Sequence, residues 1–271
     1  MKKGLIGVQM STIAPNKMPK FDAYESMARL ADIGYKCIEI SQVPMNEANV
    51  KGFRRAIDEL GFNVAAVSAL TAANPMMPGC DMFRIGAMPL GARFSLQAAV
   101  DFAKQADDFA CQLKEHGIDL YYHNHHFEFC RHGGKLLMDI IKENTKYLGF
   151  ELDIHWIHRG GMDPIKFINQ YAGRIRLLHL KDYRIAAMEM PEGDFSTREG
   201  MMKAYAAMND IVQFAEVGEG TLDIPGCIEA GLAGGSEYFL VEQDLTYGRD
   251  PFDCLKTSHD NLVKMGYGDW F

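Results

Sequence analysis

Eight short apolar segments recur along the chain, and stretches of helical periodicity separate most of them. They predict buried strands at residues 5–8, 37–40, 64–67, 82–86, 118–122, 148–153, 175–179 and 238–242. Short continuous apolar runs of this kind are typical of parallel strands that are covered on both faces. Their alternation with helices, at a spacing near the roughly 30 residues of a βαβ unit, predicts an α/β fold: a single (β/α)8 TIM barrel.

Helical periodicity and boundary residues predict the elements between these strands. Helices are expected over about 21–33, 50–60, 95–116, 135–141, 163–172 and 199–208, and from residue 250 onward. Asp163-Pro164 and Asp250-Pro251 each place a capping carboxylate before a proline at the first helical position. The stretch 70–82 contains Asn74-Pro75 and Pro78-Gly79, so we expect a loop or a single turn there.

An open, doubly wound sheet is the main alternative fold. It needs a glycine-rich phosphate-binding turn after the first strand, and the sequence Gly7-Val8-Gln9-Met10-Ser11 does not supply one. No linker or low-complexity tract interrupts the pattern, so residues 1–271 are expected to form one domain.

Charge and cysteine content restrict the partners and the compartment. The net charge of −8 argues against a nucleic-acid partner or an anionic membrane surface, because both favour a basic face. The six cysteines form no CxxC pair and are expected to be buried thiols of a reducing compartment. The amino terminus leads directly into a strand, so a cytoplasmic protein is expected. The sequence leaves a homo-oligomer open.

Four consecutive predicted strands end in residues that commonly bind metals. His123 ends the fifth strand, with His125 two residues further on, and Asp153, His179 and Glu242 end the next three. In a (β/α) barrel the carboxyl ends of the strands form the active site. Charged groups there are costly unless they pair with each other or with a cation. We therefore predict one divalent metal ion, with Mn²⁺ as first choice. Mg²⁺, Co²⁺, Fe²⁺ and Zn²⁺ remain open, because this ligand type does not choose among them.

Several motifs resemble the xylose-isomerase-like TIM barrels, often called sugar phosphate isomerases/epimerases. The resemblance covers most of the chain and is best from Gly117 onward. The motifs that carry it are Tyr122-His123-Asn124-His125-His126-Phe127-Glu128-Phe129, Asp153-Ile154-His155-Trp156, Gly160-Gly161-Met162-Asp163-Pro164, His179-Leu180-Lys181-Asp182, Gly218-Glu219-Gly220 and Val241-Glu242-Gln243-Asp244. The resemblance implies one metal ion held by residues of strands five to eight. Asp153, His179 and Glu242 match that pattern.

The fifth strand departs from the family pattern. The epimerases of the family have a glutamate there, whereas this chain has His123, or alternatively His125. The resemblance implies an isomerase or epimerase that abstracts a proton next to the carbonyl of a sugar, with a metal-stabilised enediolate. The histidine favours an alternative, a β-eliminating lyase similar to the inosose dehydratases or the C-glycoside-cleaving enzymes. A non-catalytic sugar-binding barrel is the third possibility.

Within this hypothesis we assign roles to the remaining polar residues. Glu242 is the expected base, with His123 or His125 as the partner acid or base, since imidazole titrates near neutral pH. The predicted substrate contacts are Glu128, Trp156, Lys181 and Glu219. Each also has a structural interpretation: Lys181, for example, could instead form a salt bridge with Asp182 or Glu151.

Overall fold

The computed structural model describes residues 3–18, 20–68, 80–187, 192–209 and 211–271, and its centre is a closed barrel of eight parallel strands. The strands are β1 (Leu5–Gln9), β2 (Cys37–Ile40), β3 (Asn63–Ser68), β4 (Met82–Ile85), β5 (Asp119–His123), β6 (Gly149–Asp153), β7 (Ile175–Leu180) and β8 (Tyr238–Val241). They follow one another in chain order around the barrel, and β8 closes it by pairing with β1. The predicted TIM barrel is confirmed.

Helices surround the barrel. They are α1 (Ala23–Ile33), α2 (Glu47–Leu60), α3 (Leu96–Glu115), α4 (Leu137–Glu143), α5 (Ile154–Arg159), α6 (Pro164–Gln170), α7 (Arg198–Asn209), α8 (Ile224–Gly234) and α9 (Pro251–Leu262). Asp163 and Asp250 cap α6 and α9 through their side chains, as predicted. Most of the loop predicted at 70–82 lies outside the described residues.

Three helical predictions need correction. The helix predicted over 135–141 begins at Leu137 rather than near Lys135, because Lys135 pairs with His132 in a two-stranded ribbon. Helix α5 was not predicted, since it is only six residues long and starts directly from Asp153. Helix α8 was also missed. It contains three glycines, and its packing against the barrel rather than its intrinsic propensity makes it helical.

The lower half of the barrel interior is filled by apolar side chains. Cys37, Ala65, Ala66, Met82, Tyr121, Leu177 and Leu240 form this buried cluster. Gly149 makes room for it, because a Cβ atom at that position would lie 2.3 Å from the ring of Tyr121. Side chains alternate along a strand, so the next inward-facing residue after Gly149 is Glu151, followed by Asp153. The interior thus changes from apolar to charged toward the carboxyl ends of the strands.

The connection between β7 and β8 forms its own small structure. Residues Asp182–Ile185 pair antiparallel with Val212–Ala215, and α7 lies between these two strands in sequence. The carboxylate of Asp182 accepts hydrogen bonds from the backbone N–H groups of Gly218, Gly220 and Leu222. Asp182 therefore fixes the turn that leads into α8.

Within the described ranges, no helix is long and apolar enough to cross a membrane.

Candidate metal centre

The four predicted ligands come together at the carboxyl end of the barrel. His123 and Asp153 end β5 and β6, His179 is the penultimate residue of β7, and Glu242 directly follows β8. One ligand atom from each lies within 4.8 Å of the others, and all four side chains are buried. Metal–ligand distances of about 2.0–2.4 Å can span such a group. The donors are two imidazoles and two carboxylates, so they fit a divalent ion of the Mn²⁺ to Zn²⁺ series.

Hydrogen bonds leave one oxygen of each carboxylate directed toward this group. Asp153 Oδ1 caps α5 by accepting the N–H of Trp156 at 3.0 Å, which leaves Oδ2. Glu242 Oε1 accepts the hydroxyl of Ser11 at 2.5 Å, which leaves Oε2. His179 Nδ1 lies 2.9 Å from Glu242 Oε2 and 3.8 Å from Asp153 Oδ2. The donors therefore converge on one point.

A second set of charged residues lies behind the two histidines, and the sequence analysis missed it. His179 Nε2 is 2.7 Å from Glu39 Oε2, and His123 Nδ1 is 3.0 Å from Glu151 Oε2. Arg84 lies between these two carboxylates and pairs with both. All three are buried inside the barrel. The Glu39 carboxylate hydrogen-bonds to His179 Nε2, and a carboxylate in that position fixes the ring orientation and the tautomer needed for metal binding.

Burial and neighbouring charges shift the pKa values of this group in opposite directions. Burial raises the pKa of Asp153 to about 6, although Lys181 opposes the shift. Burial also disfavours ionised Glu242, but Lys181 and His179 outweigh it and hold its pKa below the usual range. Burial lowers the pKa of His123, and it lowers that of His125 to about 3 with help from Lys181. Both of these imidazoles are therefore neutral at pH 7.

Lys181 has partners that the sequence did not suggest. Its ammonium lies 2.7 Å from Glu242 Oε2, 3.0 Å from Asp153 Oδ2 and 3.0 Å from Asp244 Oδ2. The predicted alternative, a salt bridge to Asp182 or Glu151, is wrong, because Lys181 projects on the same inward face as His179 and meets the ligand carboxylates instead.

A cavity of about 710 Å³ opens beside the candidate ligands. His123, His125, Lys181, Glu242, Asp244 and Arg84 line its polar side, and Ile85, Ala87, Pro89 and Phe102 line an apolar side. His125 does not belong to the group of four ligand atoms; its ring stacks on Phe127 with centroids 5.1 Å apart. His125 therefore lines the cavity without being one of the four candidate ligands.

Three predicted substrate contacts lie outside this cavity wall. Trp156 packs beside Lys181 and His126. Glu128 is buried, accepts the hydroxyl of Tyr122 at 2.5 Å, and accepts the backbone N–H of His125 at 2.8 Å. Glu219 is bound by the side-chain amide of Asn261. In this structure Glu128 positions the loop that carries His125. Glu219 fixes the turn Gly218-Glu219-Gly220 to α9.

Comparison with known proteins shows the fold. No family model matches the chain, and no curated protein matches it. A sugar phosphate isomerase/epimerase from Parabacteroides distasonis is similar in structure, with a TM-score of 0.72 and 18% identity; the match covers 98% of this chain and 96% of that one. An L-ribulose 3-epimerase gives a TM-score of 0.63 at 14% identity, covering 100% and 96% of the two chains.

A further structure belongs to another reaction class. The probable 3-DHS dehydratase of petrobactin synthesis from Bacillus anthracis matches with a TM-score of 0.66 and 13% identity, over 96% of this chain and 98% of that one. Other matching structures are named as xylose isomerase domain proteins. The chain therefore has the fold of the xylose-isomerase-like TIM barrels, and the resemblance predicted from the sequence is confirmed at this level.

Proposed function

We propose that this protein is a divalent-metal-dependent isomerase or epimerase that removes a proton next to the carbonyl of a sugar or keto-sugar. One observation carries the proposal: four nitrogen and oxygen donors from consecutive strands converge within 4.8 Å, and two of their side chains line the cavity. The structural similarity to proteins named as sugar isomerases and epimerases supports a small carbohydrate as the substrate.

His123, Asp153, His179 and Glu242 would hold the metal, for which Mn²⁺ is our first choice. When bound, a divalent ion there supplies Lewis-acid polarisation of a carbonyl and of a neighbouring hydroxyl. Glu39 would keep His179 in the orientation that this set of ligands requires, whereas Glu151 contributes a nearby negative charge 3.0 Å from His123 Nδ1.

The chemistry at the cavity wall belongs to Glu242 and His125. Glu242 is ionised because its pKa is held low, so it can accept a proton from a substrate carbon at the cavity wall. His125 lines the same cavity, and because its lowered pKa keeps the ring neutral it would bind a substrate oxygen by donating an N–H. Lys181 also faces the cavity and would bind an oxygen atom of the substrate as negative charge develops there.

The function is tested with purified protein and a panel of ketoses, inososes and 3-keto-glycosides in D₂O. Solvent deuterium in a product of unchanged composition is the expected result. Glu242→Gln should lower the rate of deuterium incorporation by about 10²-fold or more, because the base is lost. Native protein without a stoichiometric metal, or full activity in Glu242→Gln, would overturn the mechanism.

A β-eliminating lyase is the second candidate, and the fifth-strand histidine favours it. The proposed epimerase mechanism of the family uses a carboxylate on each face of the substrate, whereas His123 takes the place of one of them here. A structure named as a probable dehydratase shares the fold. Release of water or of an aglycone in the same assay would identify the lyase. Metal binding without turnover of any compound in the panel would favour the third possibility, a sugar-binding barrel.

A further inference from the structure

The ammonium group of Lys181 contacts the same two oxygen atoms that the metal site requires. Asp153 Oδ1 and Glu242 Oε1 are already bound by Trp156 and Ser11. Lys181 reaches the remaining atoms, Asp153 Oδ2 at 3.0 Å and Glu242 Oε2 at 2.7 Å. A metal cation bound by these oxygens would therefore lie very close to the lysine ammonium, and the two positive charges would repel each other.

Lys181 is only 1% exposed, so its charge depends on carboxylate partners. An ammonium that is removed from water without a counter-ion is strongly disfavoured. Its third partner, Asp244, differs from the other two: the side chain is 31% exposed, lines the cavity, and does not belong to the group of four candidate ligands. Asp244 can therefore keep its bond to Lys181 while a metal occupies Asp153 and Glu242.

We propose that Lys181 is the counter-ion of the ligand carboxylates in the metal-free protein and that a divalent metal displaces it toward Asp244. The ammonium then turns from the ligand group to the cavity wall, where it faces the substrate. Metal loading and the exposure of this positive charge to the substrate become a single event. Metal should consequently bind before any substrate that uses Lys181.

This proposal rests on the metal site of the proposed function, and titration of metal-stripped protein with Mn²⁺ in a calorimeter tests it. Lys181→Gln should lower the Kd for Mn²⁺ at least tenfold, because the competing ammonium is gone. Asp244→Asn should raise the Kd at least threefold, because the displaced lysine then has no acceptor. An unchanged or higher Kd in Lys181→Gln overturns the proposal, as does an unchanged or lower Kd in Asp244→Asn.

Lys17 provides the matched control. It lies near Asp244 and Glu242 and lines a neighbouring cavity, but it forms no ion pair with the residues that the structure describes. Lys17→Gln removes the same charge, so its Kd should stay within twofold of the wild type. If Lys17→Gln lowered the Kd as much as Lys181→Gln does, overall charge rather than displacement of Lys181 would control the affinity. That result would also overturn the proposal. If the wild type binds no Mn²⁺, the proposed function fails with it.

Thermal unfolding gives a readout independent of the Kd. The metal-free Lys181→Gln protein should have a lower Tm than the wild type, because the Asp153 and Glu242 carboxylates lose their counter-ion. Saturating Mn²⁺ should raise its Tm by more than it raises that of the wild type. Equal increases in the two proteins would contradict the displacement.

Discussion

His179 Nε2 lies 2.7 Å from Glu39 Oε2, although β1 and β8 separate their strands around the barrel. The contact crosses the barrel interior and leaves Nδ1 of the same ring directed at Asp153 and Glu242. A carboxylate that holds the outer nitrogen in this way determines which nitrogen is free for a metal.

The first prediction concerns Glu39. Glu39→Gln should weaken Mn²⁺ binding about 10–100-fold, because the amide holds the imidazole N–H of His179 less strongly than a carboxylate. Calorimetric titration measures the change. Glu128→Gln is the control, since Glu128 is also a buried carboxylate but bonds to Tyr122 and to the backbone of His125. Equal affinity for Mn²⁺ in Glu39→Gln and the wild type would show that Glu39 does not contribute to metal binding.

The second prediction separates the two strand-five histidines. His123→Ala should lose most of its bound metal, whereas His125→Ala should retain about one ion per chain, because only His123 belongs to the four converging ligands. Metal content by plasma mass spectrometry distinguishes them. His125→Ala should also lower kcat about 10²–10³-fold, because the substrate oxygen loses a hydrogen-bond donor. Loss of metal from His125→Ala but not from His123→Ala would make His125 the strand-five ligand instead.

The third prediction concerns the pH dependence of stability. Burial raises the pKa of Glu128 to about 7 from its ordinary value of 4.5. The folded protein therefore holds this proton at pH values where the unfolded chain releases it, and the carboxyl supports folding below pH 4.5. That support disappears as the pH rises from about 4.5 to about 7.

Glu128→Gln cannot titrate, so it lacks this component. The unfolding free energy of the wild type minus that of the variant should fall by up to about 3 kcal/mol across the same pH range. Urea unfolding of the metal-free proteins at several pH values measures it. A constant difference across the range would show that Glu128 ionises normally in the folded protein.

The fourth prediction concerns the lower half of the barrel. Gly149→Ala should destabilise the protein by about 1–3 kcal/mol, because the added methyl group would lie 2.3 Å from the buried ring of Tyr121. Gly91→Ala is the matched control, since a Cβ atom there has no neighbour within 4 Å. Urea unfolding compares the two variants. Equal stability would show that the interior can rearrange around the extra methyl group.

The sequence predicted those candidate site residues that interrupt an apolar pattern. Asp153, His179 and Glu242 stand at or beside the ends of apolar strands, where a charged side chain is conspicuous. Glu39 and Glu151 were missed because each lies within a strand rather than at its end. A usable signal was present for Glu151: it lies two residues before Asp153 and so faces the same side of β6.

Long-range contacts explain the other omissions. No local pattern relates Glu39 to His179, since 140 residues separate them. Lys181 was assigned the wrong partners for the same reason. Its strand neighbours suggested Asp182 or Glu151, whereas barrel closure brings Glu242 and Asp244 to it. Helix α8 was missed because its glycines conceal a helix that tertiary packing stabilises.

The charges inside the barrel also indicate which charge a bound metal ion should carry. Four carboxylates are buried inside the barrel among the described residues at and beside the candidate ligands: those of Glu39, Glu151, Asp153 and Glu242. Arg84 and Lys181 offset two of these four negative charges. Burial lowers the pKa of His179, but the charges of Glu151, Glu39 and Glu242 outweigh it and raise that pKa well above its usual value. A metal-bound imidazole is neutral, so metal binding would release this proton and leave two negative charges in a space where unbalanced charge is costly. A doubly charged ion neutralises this space, whereas a singly charged or triply charged ion leaves one unit of charge unbalanced.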